Sequence, residues 1–108
     1  VQIEHSNAIK ELDSIIQTEG VDGTFIGPYD LSGSMGKPGD YDDEDVKEAL
    51  RTYETIASKY DKWIGFHVVS PDYKLVLEKR DKGYNFIAFC FDAFFLGHAI
   101  REQLKHLI

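Results

Sequence analysis

Strand-like and helix-like segments alternate four times along this chain, and that alternation commits it to a parallel sheet clad with helices. Residues 1–4 read as a short strand. Ser6 or Asn7 then caps a helix that carries Ala8, Ile9, Leu12, Ile15 and Ile16 at helical spacing, and Gly20 ends it. Residues 21–26 form a second strand, leading into a glycine- and proline-rich stretch, 27–41, read as one long loop of the functional kind. A second helix over about 43–59 opens on the acidic run Asp42, Asp43, Glu44 and Asp45, which complements the positive end of its dipole. Val46, Ala49, Leu50, Tyr53, Ile56 and Ala57 make its apolar face. Residues 63–69 are a third strand, and Ser70-Pro71-Asp72 starts a third helix, with proline near its first turn, where the missing N–H is harmless; Gly83 stops it. The nearly all-apolar segment 84–91 reads as a strand buried on both faces, and 92–108 as a final helix.

Two architectures satisfy this pattern, an open doubly wound sheet or half of an eight-stranded barrel. No strand is followed by G-x-G-x-x-G, which speaks against a dinucleotide-binding sheet. Four units, the first beginning directly in strand-like sequence, favour the second. The expected fold is therefore α/β: the C-terminal half of a TIM (β/α)8 barrel with four parallel strands alternating with helices. On this reading residues 1–108 are one partial barrel domain and the native protein begins upstream of Val1.

Charge narrows the function. With 19 acidic against 12 basic residues and a net charge of −7, the chain lacks the basic face that gripping a phosphate backbone requires, so no nucleic-acid partner is expected. No apolar run approaches a membrane span, and no membrane partner is expected either. Cys90 is the single cysteine, in a strand-like apolar context, which suits a reducing cytoplasm.

In parallel α/β folds, chemistry sits at the C-terminal ends of the strands. Glu4 ends the first strand and Asp30 lies just past the second, so adjacent strands about 4.8 Å apart bring both carboxylates to one rim. A hard divalent cation accepts one or two such groups and leaves its other positions to water or substrate. Two carboxylates have no dedicated spacing rule, however, and ordinary loop acids would look the same. Gly27-Pro28 lets the backbone turn sharply, so that N–H groups near Tyr29 can face an anion. His5 reads as a surface or packing residue, His67 as a buried hydrogen-bonded one, and His98 and His106 as solvent-facing or interfacial. Lys62, Lys74, Lys79 and Lys82 read as surface charges rather than a Schiff-base nucleophile. Phe86, Phe89, Phe91, Phe94 and Phe95 read as core or subunit-contact residues.

Three stretches resemble the HpcH/HpaI aldolase and citrate lyase β-subunit family: Val1-Gln2-Ile3-Glu4, the run from Glu19 through Gly36 with Pro38-Gly39, and Gly83 to Ala88 with Asp92. The resemblance implies a metal-dependent (class II) pyruvate aldolase. Such an enzyme cleaves a 2-keto-3-deoxy sugar acid or a 4-hydroxy-2-oxo acid to pyruvate and an aldehyde, through an enolate stabilised by a divalent metal. Glu4 and Asp30 match the family's metal ligands, with Mg²⁺ or Mn²⁺ the expected ion and Co²⁺ a further option. Gln2 matches a substrate-contacting glutamine. Gly27 and Tyr29 fall where backbone holds the pyruvate carboxylate, although tyrosine departs from the usual alanine or serine there. The family's catalytic histidine and arginine belong to earlier strands, so no catalytic residue is assigned here and the chain alone is expected to be inactive. The resemblance further implies a small-molecule 2-oxo acid substrate and a homo-oligomer built through the final helix. The alternatives are a citrate-lyase-like or malyl-CoA-lyase-like carbon–carbon lyase, or a half-barrel without turnover.

Overall fold

The computed structural model describes residues 1–108. The strands are β1 (Gln2–Ile3), β2 (Gly23–Ile26), β3 (Trp63–Val68) and β4 (Phe86–Phe89). Between and after them run α1 (Ser6–Lys10), α2 (Leu12–Gln17), α3 (Pro28–Ser34), α4 (Glu44–Ala57), α5 (Tyr73–Asp81) and α6 (Asp92–Leu104). All strand pairs are parallel and the spatial order is β1-β2-β3-β4, the same as the order in sequence. A doubly wound sheet reverses its order at a switch point. This one does not, and consecutive parallel strands in unbroken order are how a (β/α)8 barrel is built.

Register sorts the side chains into two faces, since alternate residues of a strand point to opposite sides. Ile3, Ile26, Phe66 and Ile87 lie side by side across the four strands. The first three are buried beneath the helices, where Ile9, Leu12, Ile16, Leu31, Tyr53, Ala57 and Tyr84 complete one apolar cluster. Each such side chain contributes about 1.5–3 kcal/mol on burial. The next row, Gln2, Phe25, Gly65 and Phe86, faces the other way. There Trp63 and Phe86 remain 58% and 57% exposed, which marks that side as the inner face of the sheet, uncovered in this chain. Gly65 is required in that row: a Cβ there would stand 2.6 Å from the Phe25 ring and 2.9 Å from the Thr24 carbonyl.

Three sequence expectations are revised. Residues 27–41 are not one loop, because Leu31 is an apolar anchor for the core and Pro28 sits at a helix start, so the chain coils into α3. The first helix is two short ones meeting at Glu11, and its cap is His5, whose Nδ1 accepts from the Asn7 N–H at 3.1 Å; neither Ser6 nor Asn7 plays that part. The start expected at Ser70-Pro71-Asp72 is where α5 begins, with Asp72 capping it by accepting from the Lys74 N–H and Pro71 just ahead. The strand expected over 84–91 to be buried on both faces is shorter, and Phe86 and Phe89 are exposed because nothing in this chain covers the inner face. No helix is long and apolar enough to cross a membrane.

Tyr53 locks the layers together. Its ring is fully buried on α4, and its phenol donates to the Gly65 carbonyl at 3.3 Å and meets the buried Thr24 hydroxyl at 2.9 Å, joining α4 to β2 and β3. Tyr53→Phe keeps the ring but leaves the Thr24 hydroxyl and the Gly65 carbonyl without that partner. Its expected cost is about 1–3 kcal/mol in urea unfolding of the full-length protein. An unchanged midpoint and slope would show that the phenol carries no weight.

Candidate metal and substrate site

β1 pairs with β2 so that Ile3 lies opposite Ile26, and the Gly27 N–H continues the ladder to the Ile3 carbonyl at 3.1 Å. One residue further along, Glu4 stands beside Gly27 at the C-terminal ends of both strands. Gly27 is extended, at φ −97° and ψ 94°, and opens directly into α3. Pro28 occupies the first helical position, where its missing N–H has no intrahelical role, and Asp30 falls in the first turn, favoured there by the dipole.

The backbone under Asp30 is held from below. Pro28, Leu31 and Ser32 are all buried, while Asp30 is exposed. The Ser32 hydroxyl donates to the Tyr29 carbonyl at 2.8 Å and accepts from the Gly39 N–H at 3.0 Å, drawing the following segment back onto α3. At the other end, the Ser34 hydroxyl accepts from the Ser6 N–H at 3.0 Å, so the turn after β1 is tied to the helix after β2. Lys37 reaches Asp43 and Asp45, each at 2.7 Å, and fastens the segment to the start of α4. Lys37 in turn holds the Asp43 carboxyl below the usual carboxylate range.

Gly27 has no side chain for a reason visible in its surroundings. A Cβ there would sit 3.3 Å from the Gln2 amide nitrogen and 3.5 Å from both the Cβ and the carboxylate Oε2 of Glu4. Gln2 and Glu4 therefore converge over Gly27, three residues before Asp30. Both Glu4 and Asp30 are exposed and neither takes part in any ion pair or side-chain hydrogen bond of the chain. Glu4 and Asp30 are thus two unpaired carboxylates at the ends of neighbouring strands, with the Gln2 amide close to Glu4; oxygen donors of this kind suit a hard divalent cation that keeps several positions for other ligands. No cluster of three or more acidic, histidine or cysteine side chains is present, so these residues alone do not make a closed site.

Tyr29 lies where the sequence places it, next to Asp30, but its ring is turned onto Gly39: a Cβ on that glycine would approach ring carbons at 3.4 and 3.7 Å. Tyr41 is a neighbour that sequence reasoning missed. Burial raises its phenol above the ordinary tyrosine value, and the nearby Tyr29 and Asp30 add to that rise. Nothing in the spacing of residues 30 and 41 signals the contact, which depends on the loop folding back. His67 follows Gly27 across the register, in the layer of Glu4 on the inner face. Its Nε2 lies 3.2 Å from the Cys90 carbonyl, an acceptor, and its ring stacks on Phe25 with centroids 6.3 Å apart; it is hydrogen-bonded but half-buried. Cys90 is buried and is the one non-glycine residue with positive φ, +56°, held by its N–H on the Val68 carbonyl at 2.7 Å as well as by His67. His98 and His106 are exposed, as expected. Lys79 departs from the surface role expected for it, being half-buried with its ammonium 4.3 Å from the Phe66 ring centre.

Known proteins resemble this chain in sequence and in fold. The chain is 34% identical over 107 residues to a hydroxypyruvate/pyruvate aldolase of Paraburkholderia phytofirmans, covering 99% of this chain and 40% of that protein. It is 35% identical over 104 residues to a 2-keto-3-deoxy-L-rhamnonate aldolase of Escherichia coli, covering 96% of this chain and 38% of the relative. The crystal structure of a HpcH/HpaI aldolase/citrate lyase family protein from Burkholderia cenocepacia superposes with a TM-score of 0.90 at 30% identity, over 99% of this chain and 41% of that one. The chain thus spans about 40% of the length of the relatives it matches. A family model also matches residues 1–99, and the chain belongs to the HpcH/HpaI aldolase/citrate lyase family.

Proposed function

We propose that residues 1–108 form the metal-holding part of a class II aldolase, which cleaves a 2-keto-3-deoxy sugar acid or 4-hydroxy-2-oxo acid to pyruvate and an aldehyde. The observation that carries this reading is the convergence of the Gln2 amide and the Glu4 carboxylate over Gly27, with Asp30 on the helix that Gly27 opens. Glu4 and Asp30 would hold Mg²⁺ or Mn²⁺. A divalent cation there supplies Lewis acidity to the developing enolate of a 2-oxo acid. Glu4 and Asp30 supply negative charge and open geometry. Gln2, whose amide both donates and accepts, orients the 2-oxo acid beside Glu4. Gly27 supplies room, because a Cβ there would crowd the Gln2 amide at 3.3 Å and fill the space against Glu4. Tyr29 and Tyr41 border Asp30, and the sugar-acid tail passes near them. Proton transfer is left to groups outside these residues, on the strands that the family resemblance assigns to the catalytic histidine and arginine. Cytoplasmic location fits the buried, unpaired Cys90.

The exchange of pyruvate C3 protons for deuterium isolates enolate formation from carbon–carbon cleavage. In the full-length protein with Mn²⁺, followed by NMR, Glu4→Gln and Asp30→Asn should reduce exchange below detection. Gln2→Ala should lower kcat/KM by about 10²-fold, the scale on which misplacing a reacting group is felt. Gly27→Ala should do comparable damage while leaving the fold intact, since φ is negative at that position. Full exchange in Asp30→Asn would reject the assignment.

Assembly through the last helix belongs to the same proposal. No residue of α6 is buried, and Phe94, Phe95, Leu96, Ile100 and Leu104 are all exposed on it. Apart from Phe95 packing edge-on against Phe89, with centroids 5.0 Å apart, this apolar helix is uncovered, which fits a contact between subunits of a homo-oligomer. In sedimentation of the full-length protein, Leu96→Glu with Ile100→Glu should lower the assembly mass by at least half. An unchanged mass would remove α6 from the contact.

A further inference from the structure

A groove of about 490 Å³ runs on the helix side of the sheet, between α4 and α5, over the outer face of β3. It lies between two consecutive units of this chain, far from the uncovered inner face. Its upper end opens beside Pro28 and Tyr41; its floor is Phe66 and Val68. Three lysines line it, and two of them are already neutralised. Lys47 pairs with Glu44 at 3.2 Å and approaches Asp42 at 4.0 Å, and Lys82 pairs with Glu78 at 3.3 Å. Lys79 has no carboxylate partner and no hydrogen bond; its ammonium rests over the Phe66 ring at 4.3 Å and is 5.9 Å from that of Tyr84. The hydroxyls of Ser70 and Tyr41 also line the groove without an intramolecular partner.

A half-buried ammonium with no carboxylate in contact is costly, and although Asp42 and Glu78 also line the groove, neither pairs with Lys79. Phe66 offsets part of that cost through its ring face. Burial and the nearby Lys82 charge hold the Lys79 amine below the ordinary lysine range, against a smaller opposing pull from Glu78 and Glu54, so an incoming anion in contact with it gains by restoring it. The donor set favours one kind of anion. No arginine lines the groove, so the planar fork that suits a carboxylate is missing, whereas a compact ammonium with separate hydroxyls suits tetrahedral oxygens.

We propose that the groove between α4 and α5 binds a phosphate group, with the Lys79 ammonium as its charge partner and the Ser70 and Tyr41 hydroxyls as donors. The ligand is either free phosphate or a small phosphomonoester, and the volume leaves room for the latter's organic part. Tyr41, at the upper end, also borders Asp30, whereas Lys79 and the floor belong to the helix side of the sheet, and the proposal does not depend on the function proposed for the Glu4–Asp30 rim.

Calorimetric titration of the full-length protein with inorganic phosphate, and separately with glycerol 3-phosphate, tests the proposal. EDTA is present so that no metal recruits the anion, and ionic strength is held constant. Saturable binding of either probe is expected, with the tighter one identifying the source. Lys79→Met should weaken it by at least about tenfold, the loss of one charge-assisted contact. Lys79→Arg should retain most of it, and Lys59→Met, which removes an exposed lysine outside the groove, should leave it unchanged. In the wild type, the bound probe should also shield Lys79, but not Lys59, from acylation by acetic anhydride read by mass spectrometry. No saturable binding of either probe, equal loss in Lys59→Met and Lys79→Met, or unchanged acylation of Lys79 at saturation would overturn the proposal.

Discussion

The parallel pairing of β1 on β2 is the constraint from which the rest follows. With Ile3 opposite Ile26 and the Gly27 N–H on the Ile3 carbonyl, Glu4 has one place to be. A slip of β1 by one residue would turn Glu4 beneath the helices and Ile3 onto the inner face, at the cost of one fully buried aliphatic side chain. The hydrophobic pattern on the helix side thus dictates the polar pattern on the other. The core selects the register, and the register sets the distance between strand ends on which a two-carboxylate site depends.

Rigidity around that site comes from groups that do no chemistry. Leu31 anchors α3 from beneath, Ser32 ties its first turn to Gly39, and Ser34 ties its last turn to the start of α1. Tyr53 holds β2 and β3 to α4 through two hydroxyl contacts buried in an otherwise apolar cluster. The exposed carboxylate of Asp30 therefore sits on fixed backbone although its own side chain is free. Open carboxylates on a held frame keep coordination positions available, whereas acids engaged in internal ion pairs would first have to be released.

Much of this was legible in the sequence, and the limits have physical causes. Apolar spacing and glycine stops marked all four strands, and alternation of elements pointed to consecutive parallel pairing. Glu4 and Asp30 could be placed at one rim because strand ends align in such a sheet. The coil at Pro28–Ser34 was hidden because glycine and serine score poorly as helix formers; burial of Leu31 and the Ser32 hydrogen bonds override that preference. Capping by His5 escaped because a histidine ring is rarely the acceptor at a helix start. Tyr41 near Asp30, and the unpaired Lys79 between α4 and α5, depend on where loops and neighbouring helices settle. Sequence spacing does not encode that.

The central claim is that Glu4 and Asp30 together hold one divalent cation, and Mn²⁺ affinity tests it most directly. Titration of the full-length protein, with free Mn²⁺ followed by electron paramagnetic resonance, should show one site per chain in the wild type. Glu4→Gln and Asp30→Asn should each weaken it by about a hundredfold or more, exceeding the 10–100-fold effect typical of merely supporting residues. Unchanged affinity in both variants would contradict the account, whatever their effect on catalysis.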